Sequence, residues 1–370
     1  MKTLGETYIA HLFDDAIFLR YYHHFISAFF KQERHEFITN AAGNCSINSS
    51  GNDSETTFTT FVRSENIRKP LQFIKRTFQT LQEMDKSKLI IVHGFTEIDL
   101  LYFCLCPPLI RKTVWVIWGY DLYDYRTRKS SLYSRIRFLA KKHIVKRVPY
   151  VISNVGDYKL LQKWYGVSPK LFQVYSLYGN GCTNVKLHIR QKDTRTINIL
   201  LGNSATPTNR HTESLEILRK YNSEDIRIYI PLSYGDKEYA KSVAEYARGI
   251  FGDKVVILEK MMNTEAYNDF LSTMDIAVFN QNRQQGVGNL TYMFQSGVKI
   301  FLNDDNPLCE YYTELNLPVN SINTIPEMSF DEFIFVDPLD VQASTQRARD
   351  IFSEETLVKQ WNEVFALAKK

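Results

Sequence analysis

The chain lacks several common signals, and each absence removes a class of function. Its longest apolar run, Leu100 to Ile110, contains Pro107 and Pro108 and falls well short of the roughly 18 to 20 residues that span a bilayer. The opening Met1 to Glu6 has no apolar core, and Asp14 and Asp15 follow soon after, so a secretory leader is not expected and a cytoplasmic location is. Five cysteines (Cys45, Cys104, Cys106, Cys182, Cys309) make no C-x-x-C pair and are odd in number. That pattern fits reduced thiols rather than a disulfide framework or a zinc site. Asp121-Leu122-Tyr123-Asp124 is not a D-x-D pattern, and no metal is expected. The first strand-like run of each half, Tyr8–Phe13 and Ile197–Leu201, is not followed by G-x-G-x-x-G, and G-x-x-x-x-G-K-S/T is absent. NAD, FAD and P-loop chemistry are therefore not expected, and no cofactor is implied. A formal net charge of +4 is too small to make the chain as a whole a nucleic-acid binder.

What is present is a soluble-protein composition and a strong rhythm. With 370 residues, 44% of them hydrophobic and 23% charged, the chain can build real cores, and two domains are the natural division. Short apolar runs such as Leu89–Val92, Thr113–Trp118, Ile226–Ile230 and Ile276–Phe279 alternate with helical patterns. Continuous apolar runs of this length suit buried parallel strands. The rhythm breaks over Tyr178–Arg195, then starts afresh. The expectation is an α/β chain with two doubly wound, Rossmann-like domains, residues 1–185 and 186–345, facing each other across a cleft. Residues 346–370 are expected to form one C-terminal helix, packing at the junction.

Candidate chemistry gathers where strands end. Arg283-Gln284-Gln285-Gly286-Val287-Gly288-Asn289 follows the run Ile276–Phe279 and enters a helix. Glycines there let the backbone approach a ligand, and the first-turn N–H groups favour anions. Three more loops carry the same polar, small bias: Gly202-Asn203-Ser204 with Asn209 and His211, Pro231–Gly235 with Tyr234, and Asn303–Pro307 with Asn306. Each alone is also ordinary turn or capping chemistry. Together they suit a diphosphate joined to a sugar and a base.

In the first half, His93 closes one strand and Trp118-Gly119-Tyr120-Asp121 closes the next. Asp121 or His93 could deprotonate an acceptor hydroxyl, or each could serve only as a local cap or hydrogen-bond partner. From Arg126 to Arg147 there are nine Lys or Arg and no acid, including Arg135, Arg137, Lys141 and Lys142. Apolar residues interleave them near a helical period, which suits an anionic membrane surface. A solvated helix face is the alternative, and basic charge alone carries no nucleic-acid readout.

The segments Val92-His93-Gly94, Trp115–Tyr123, Leu201–His211, Ile230–Gly235, Arg283–Asn289 and Leu302–Pro307 resemble, in the same order, those of the 4-alpha-L-fucosyltransferase family. The resemblance implies a GT-B glycosyltransferase. It further implies a nucleotide-sugar donor, such as a dTDP-linked N-acetylfucosamine-like sugar, in the second domain. The first domain would take a polyprenyl-diphosphate-linked glycan at the inner face of the bacterial membrane. Two other activities would fit the same body: a non-catalytic sugar-nucleotide or glycan-binding protein, and a nucleotide-sugar epimerase.

Overall fold

The computed structural model describes residues 8–14, 16–39, 59–62, 70–127, 131–175 and 196–369. The polar stretch Asn44–Ser54 and the break Tyr178–Arg195 lie outside them. The chain forms two compact units, Met1–Asn180 with Glu354–Lys370, and Gly181–Ser353.

Unit 1 is a parallel sheet of β1 (Tyr8–Leu12), β2 (Arg34–Thr39), β3 (Thr59–Val62), β4 (Leu89–His93), β5 (Thr113–Val116), β6 (Tyr150–Ile152) and β7 (Lys170–Phe172). The order is β3-β2-β1-β4-β5-β6-β7. β1, β4 and β5 are buried along their whole length because helices cover both faces, which is why these strands read as continuous apolar runs. The chain leaves β1 in one direction and returns to β4 to travel the other way, so a topological switch point lies between β1 and β4. Crevices beyond the carboxyl ends of strands at such points are where ligands of these sheets bind.

Unit 2 repeats the plan with β8 (Ile197–Leu201), β9 (Ile226–Pro231), β10 (Val255–Leu258), β11 (Ile276–Phe279), β12 (Lys299–Leu302) and β13 (Asn320–Ser321). The order is β10-β9-β8-β11-β12-β13, all parallel. Its switch point lies between β8 and β11. Ile199, Leu201, Ile228, Ile230, Val278 and Phe301 fill the core with Leu215, Val243 and Phe333. β13 and the helices Pro307–Glu314 and Phe330–Ile334 have no counterpart in the sequence reading, being too short for a period to show.

The C-terminal segment is two helices rather than one, Pro338–Ile351 and Glu354–Phe365. The break falls at Ser353, whose N–H (3.4 Å) and hydroxyl (2.9 Å) both turn back to the Asp350 carbonyl. The second helix belongs to unit 1. There Trp361 lies 5.0 Å from Tyr22, and Phe365 sits edge-on to Phe30 at 4.8 Å, centroid to centroid. Among the described residues no helix is long and apolar enough to cross a membrane.

Candidate functional site

The loops that leave β8 and β11 flank the unit 2 switch point and are tied to each other. Gly202 turns the chain out of β8 at φ +69°, and a Cβ there would lie 2.5 Å from His211 Nε2 and 3.0 Å from Asn209 Oδ1. Only glycine fits. The buried Asn209 then closes the turn from inside. Its Oδ1 accepts from the Asn203 N–H (3.2 Å), and its amide donates to the Ser204 carbonyl (3.0 Å) and to Thr206 Oγ1 (2.8 Å).

Gln285 is the latch across the switch point. Its amide donates to Thr206 Oγ1 (2.9 Å) and Ser204 Oγ (3.3 Å), while its Oε1 accepts from the Thr208 hydroxyl (2.8 Å) and Arg283 Nε (3.3 Å). Gln284 lies in the same turn. The other two loops join this network. Asn203 Nδ2 donates to the Tyr234 hydroxyl (3.0 Å), and Ala205 bridges to Gly235. Asn306 Nδ2 donates to the Gln281 carbonyl (2.9 Å), and Asn303 Nδ2 to Asn280 Oδ1 (2.7 Å). All four loops singled out from the sequence thus meet at one edge of one sheet.

The helix Val287–Ser296 opens onto that edge. Its N-cap is Gly286, at φ +68°, so no side chain caps it, and its first turn has no carboxylate. The first N–H bonded within the helix is that of Leu290, to the Gly286 carbonyl. The N–H groups of the first turn and the positive end of the helix dipole therefore face outward, an arrangement suited to an anion. Gly288, in that turn, has open space where a Cβ would be. Asn289 is turned aside, donating to the Tyr267 hydroxyl at 2.9 Å. Buried Asn203 Oδ1, Gln281 Oε1 and His211 Nε2 have no hydrogen-bond partner among the described residues, which marks the same junction as one built for something more than itself. His211 lies 3.1 Å from the Tyr239 hydroxyl, and burial lowers its pKa to about 4, so it is neutral at neutral pH.

Unit 1 places its candidates differently. Asp121 is buried, and its carboxylate accepts from Trp115 Nε1–H (2.6 Å), Phe95 N–H (3.0 Å) and Trp118 N–H (3.0 Å). Burial pushes its pKa up, against the pull of Lys141 and these donors. The carboxylate staples the loop after β4 to the loop after β5. Trp118 packs edge-on to Phe13 and Phe18. His93 closes a row of buried imidazoles across three strands: it lies 3.5 Å from His11, which lies 2.9 Å from His35. Burial lowers the pKa of all three.

Two residues of the basic run are held by acidic partners, and one of them is buried. Lys141 is 2% exposed and donates to the Asp121 carbonyl and to Asp124 (2.7 Å). Arg137 pairs with Asp124 and Glu97, each at 3.2 Å. A buried ammonium needs such partners, so Lys141 serves the fold, while Arg137 is partly exposed, Arg135 stays exposed and Lys142 half-exposed.

Thr206, Thr208, Gln281, Tyr239 and Tyr267 join the site without having stood out in the sequence. Thr206 and Thr208 had a usable signal, lying in the same polar loop as Ser204 and Asn209. Tyr239 and Tyr267 had none, since helices hide their direction until the sheet order is known.

Comparison with known proteins agrees with this fold. The chain is similar to the glycosyltransferase from Rickettsia africae ESF-5, at 10% identity over 99% of each chain and a TM-score of 0.66. It is similar to the sucrose-phosphate synthase of Thermosynechococcus elongatus, at 11% identity over 98% of each chain and a TM-score of 0.67. Anabaena Alr3699/HepE, solved in complex with UDP and glucose, is 10% identical over 98% of this chain and 100% of its own, with a TM-score of 0.66. The two Rossmann-like units thus have the GT-B fold. The family model for 4-alpha-L-fucosyltransferase glycosyl transferase group 56 matches residues 8–370, and the chain belongs to that family of glycosyltransferases.

Proposed function

We propose that this glycosyltransferase moves a deoxyamino sugar, N-acetylfucosamine-like, from a dTDP-linked donor to a polyprenyl-diphosphate-linked saccharide at the inner face of the bacterial membrane. Residues 181–353 bind the donor and the larger part of unit 1 binds the acceptor. One observation carries the donor assignment: the uncapped start of the helix Val287–Ser296, with Arg283 in the loop before it, at the unit 2 switch point. As the sugar–phosphate bond breaks, charge develops on the leaving diphosphate. Preorganised N–H groups and a guanidinium stabilise that charge in the transition state more than in the ground state. Asn203, Ser204, His211 and Tyr234 line the same edge and flank the sugar and base. HepE, with this fold, holds UDP and glucose, which supports a nucleotide-sugar as the ligand.

The acceptor hydroxyl attacks the anomeric carbon, and its proton passes to a base at the carboxyl edge of unit 1, where Asp121 and His93 are the two candidates. The exposed cations Arg135, Lys146 and Arg147 draw the protein to anionic lipid, each adding on the order of 1 kcal/mol. Arg283→Ala tests the donor site: with its fold intact by circular dichroism, the variant should lose transfer by about 100-fold or more, as when one charge-stabilising donor is removed. Full activity in that variant would end the diphosphate assignment.

A further inference from the structure

Two unit 1 helices are amphipathic the wrong way round in their leading halves. In Pro70–Lys86 the buried positions are Thr77, Thr80 and Met84, while Leu71, Ile74 and Phe78 point outward. In Leu132–Val145 the buried positions are Lys141, Ile144 and Val145, while Leu132, Ile136 and Leu139 point outward. These six outward side chains are each between 51% and 83% exposed. Spacings of three and four residues align each set on one stripe. Contiguous apolar stripes left uncovered on a soluble protein mark a surface that meets something.

Topology brings the two stripes to one side. Pro70–Lys86 carries the chain from β3 back over β2 and β1 to β4, and Leu132–Val145 carries it from β5 to β6. Both crossovers step the same way across the sheet, so right-handed connections put both helices on the same face. Each helix runs from the carboxyl edge of the sheet toward its amino edge, which sets the apolar halves at the carboxyl edge, where such sheets bind ligands. Tyr133, at the start of the second helix, donates to Glu97 at the start of the helix that follows β4 (2.8 Å), as that placement requires.

The charge around the second stripe selects the occupant. From Ser131 to Arg147 there is no acidic residue, and Arg135, Lys142 and Lys146 enter no ion pair among the described residues. An apolar stripe flanked by uncompensated cations matches a helix lying in the headgroup layer of an anionic leaflet. We propose that Leu71, Ile74 and Phe78, with Leu132, Ile136 and Leu139, insert into anionic lipid and hold the carboxyl edge of the unit 1 sheet against the bilayer. This deepens the membrane reading above, from charge attraction to insertion by two helices, one of them outside the basic run.

The test uses the full chain and phosphatidylcholine vesicles with and without phosphatidylglycerol. Two triple variants, Leu71→Gln/Ile74→Gln/Phe78→Gln and Leu132→Gln/Ile136→Gln/Leu139→Gln, should keep the wild-type melting temperature and bind anionic vesicles about tenfold or more weakly each. Wild-type binding should fall but persist in high salt, since insertion is not screened. Ile74→Trp and Ile136→Trp should each gain a blue-shifted emission on vesicles, quenched by brominated lipid. Unchanged binding in either triple variant, complete release by salt, or unshifted tryptophan emission would overturn the proposal. So would an outcome in which the triple variants only dissociate a dimer. The vesicle measurement needs no acceptor, so a chain that inserts but transfers nothing to a lipid-linked glycan would sink the functional reading and leave this one standing.

Discussion

Gly288→Ala separates a structural from a functional role at the start of the helix Val287–Ser296. Among the described residues a Cβ at Gly288 meets no atom within 4 Å, so the fold has room for alanine. Replacing glycine by alanine at a compatible helical position stabilises by about 0.4 to 1 kcal/mol, mainly by restricting the unfolded chain. Over a unit of this size that raises the melting temperature by roughly 1 to 4 °C. The methyl group would, however, stand among the first-turn N–H groups that the account assigns to the diphosphate. Losing one charge-assisted hydrogen bond there costs about 1.5 to 3 kcal/mol, or roughly a 10- to 150-fold weaker complex. Calorimetric titration with dTDP, alongside thermal unfolding of both proteins, reads the two effects separately. A more stable variant that binds dTDP as well as the wild type does would refute the placement of the anion at this helix.

Two further outcomes test unit 1. Asp157 is buried, and desolvation raises its pKa to about 6 despite hydrogen bonds from Tyr123 and Asn154. The folded state therefore holds a proton that the unfolded state releases from about pH 4 upward, so this group's contribution falls as pH rises from about 4 to 6. Wild type should lose up to about 3 kcal/mol relative to Asp157→Asn across that window, and parallel urea-unfolding curves at both ends would contradict it. Asp121→Asn sets an amide N–H₂ among three N–H donors, which should lower stability by roughly 1 to 3 kcal/mol for each bond lost. Turnover separates the two base candidates: a base at Asp121 costs Asp121→Asn turnover at temperatures where the variant is still folded, whereas a base at His93 puts that loss on His93→Gln.

Most of the sheet was legible because a parallel strand covered on both faces must be apolar without alternation. Leu89–Val92 and Ile276–Phe279 could hardly be read otherwise. The two-residue β13 carries no period, and the break at Ser353 is invisible because the helical pattern runs through it. The four loops were legible as a repeated chemical bias, but their junction was not. Gln285 meets Thr206 and Thr208 only because β8 and β11 are neighbours, a fact of strand order. Lys141 misled for the same reason. Its local company is basic, and nothing nearby in sequence reveals that it points inward to Asp121 and Asp124. His11, His35 and His93 form a row only after β2, β1 and β4 are set side by side.

The central claim is that the chain cleaves a nucleotide-diphosphate sugar only to transfer the sugar to an acceptor. The direct measurement is release of nucleotide diphosphate by the purified protein from a panel of nucleotide-sugars, with and without bacterial membrane extract. Release is expected from a dTDP-linked deoxyamino sugar when the lipid-linked acceptor is present, and none without it. Donor binding with no release under any condition, or conversion of the free donor without acceptor, would contradict it.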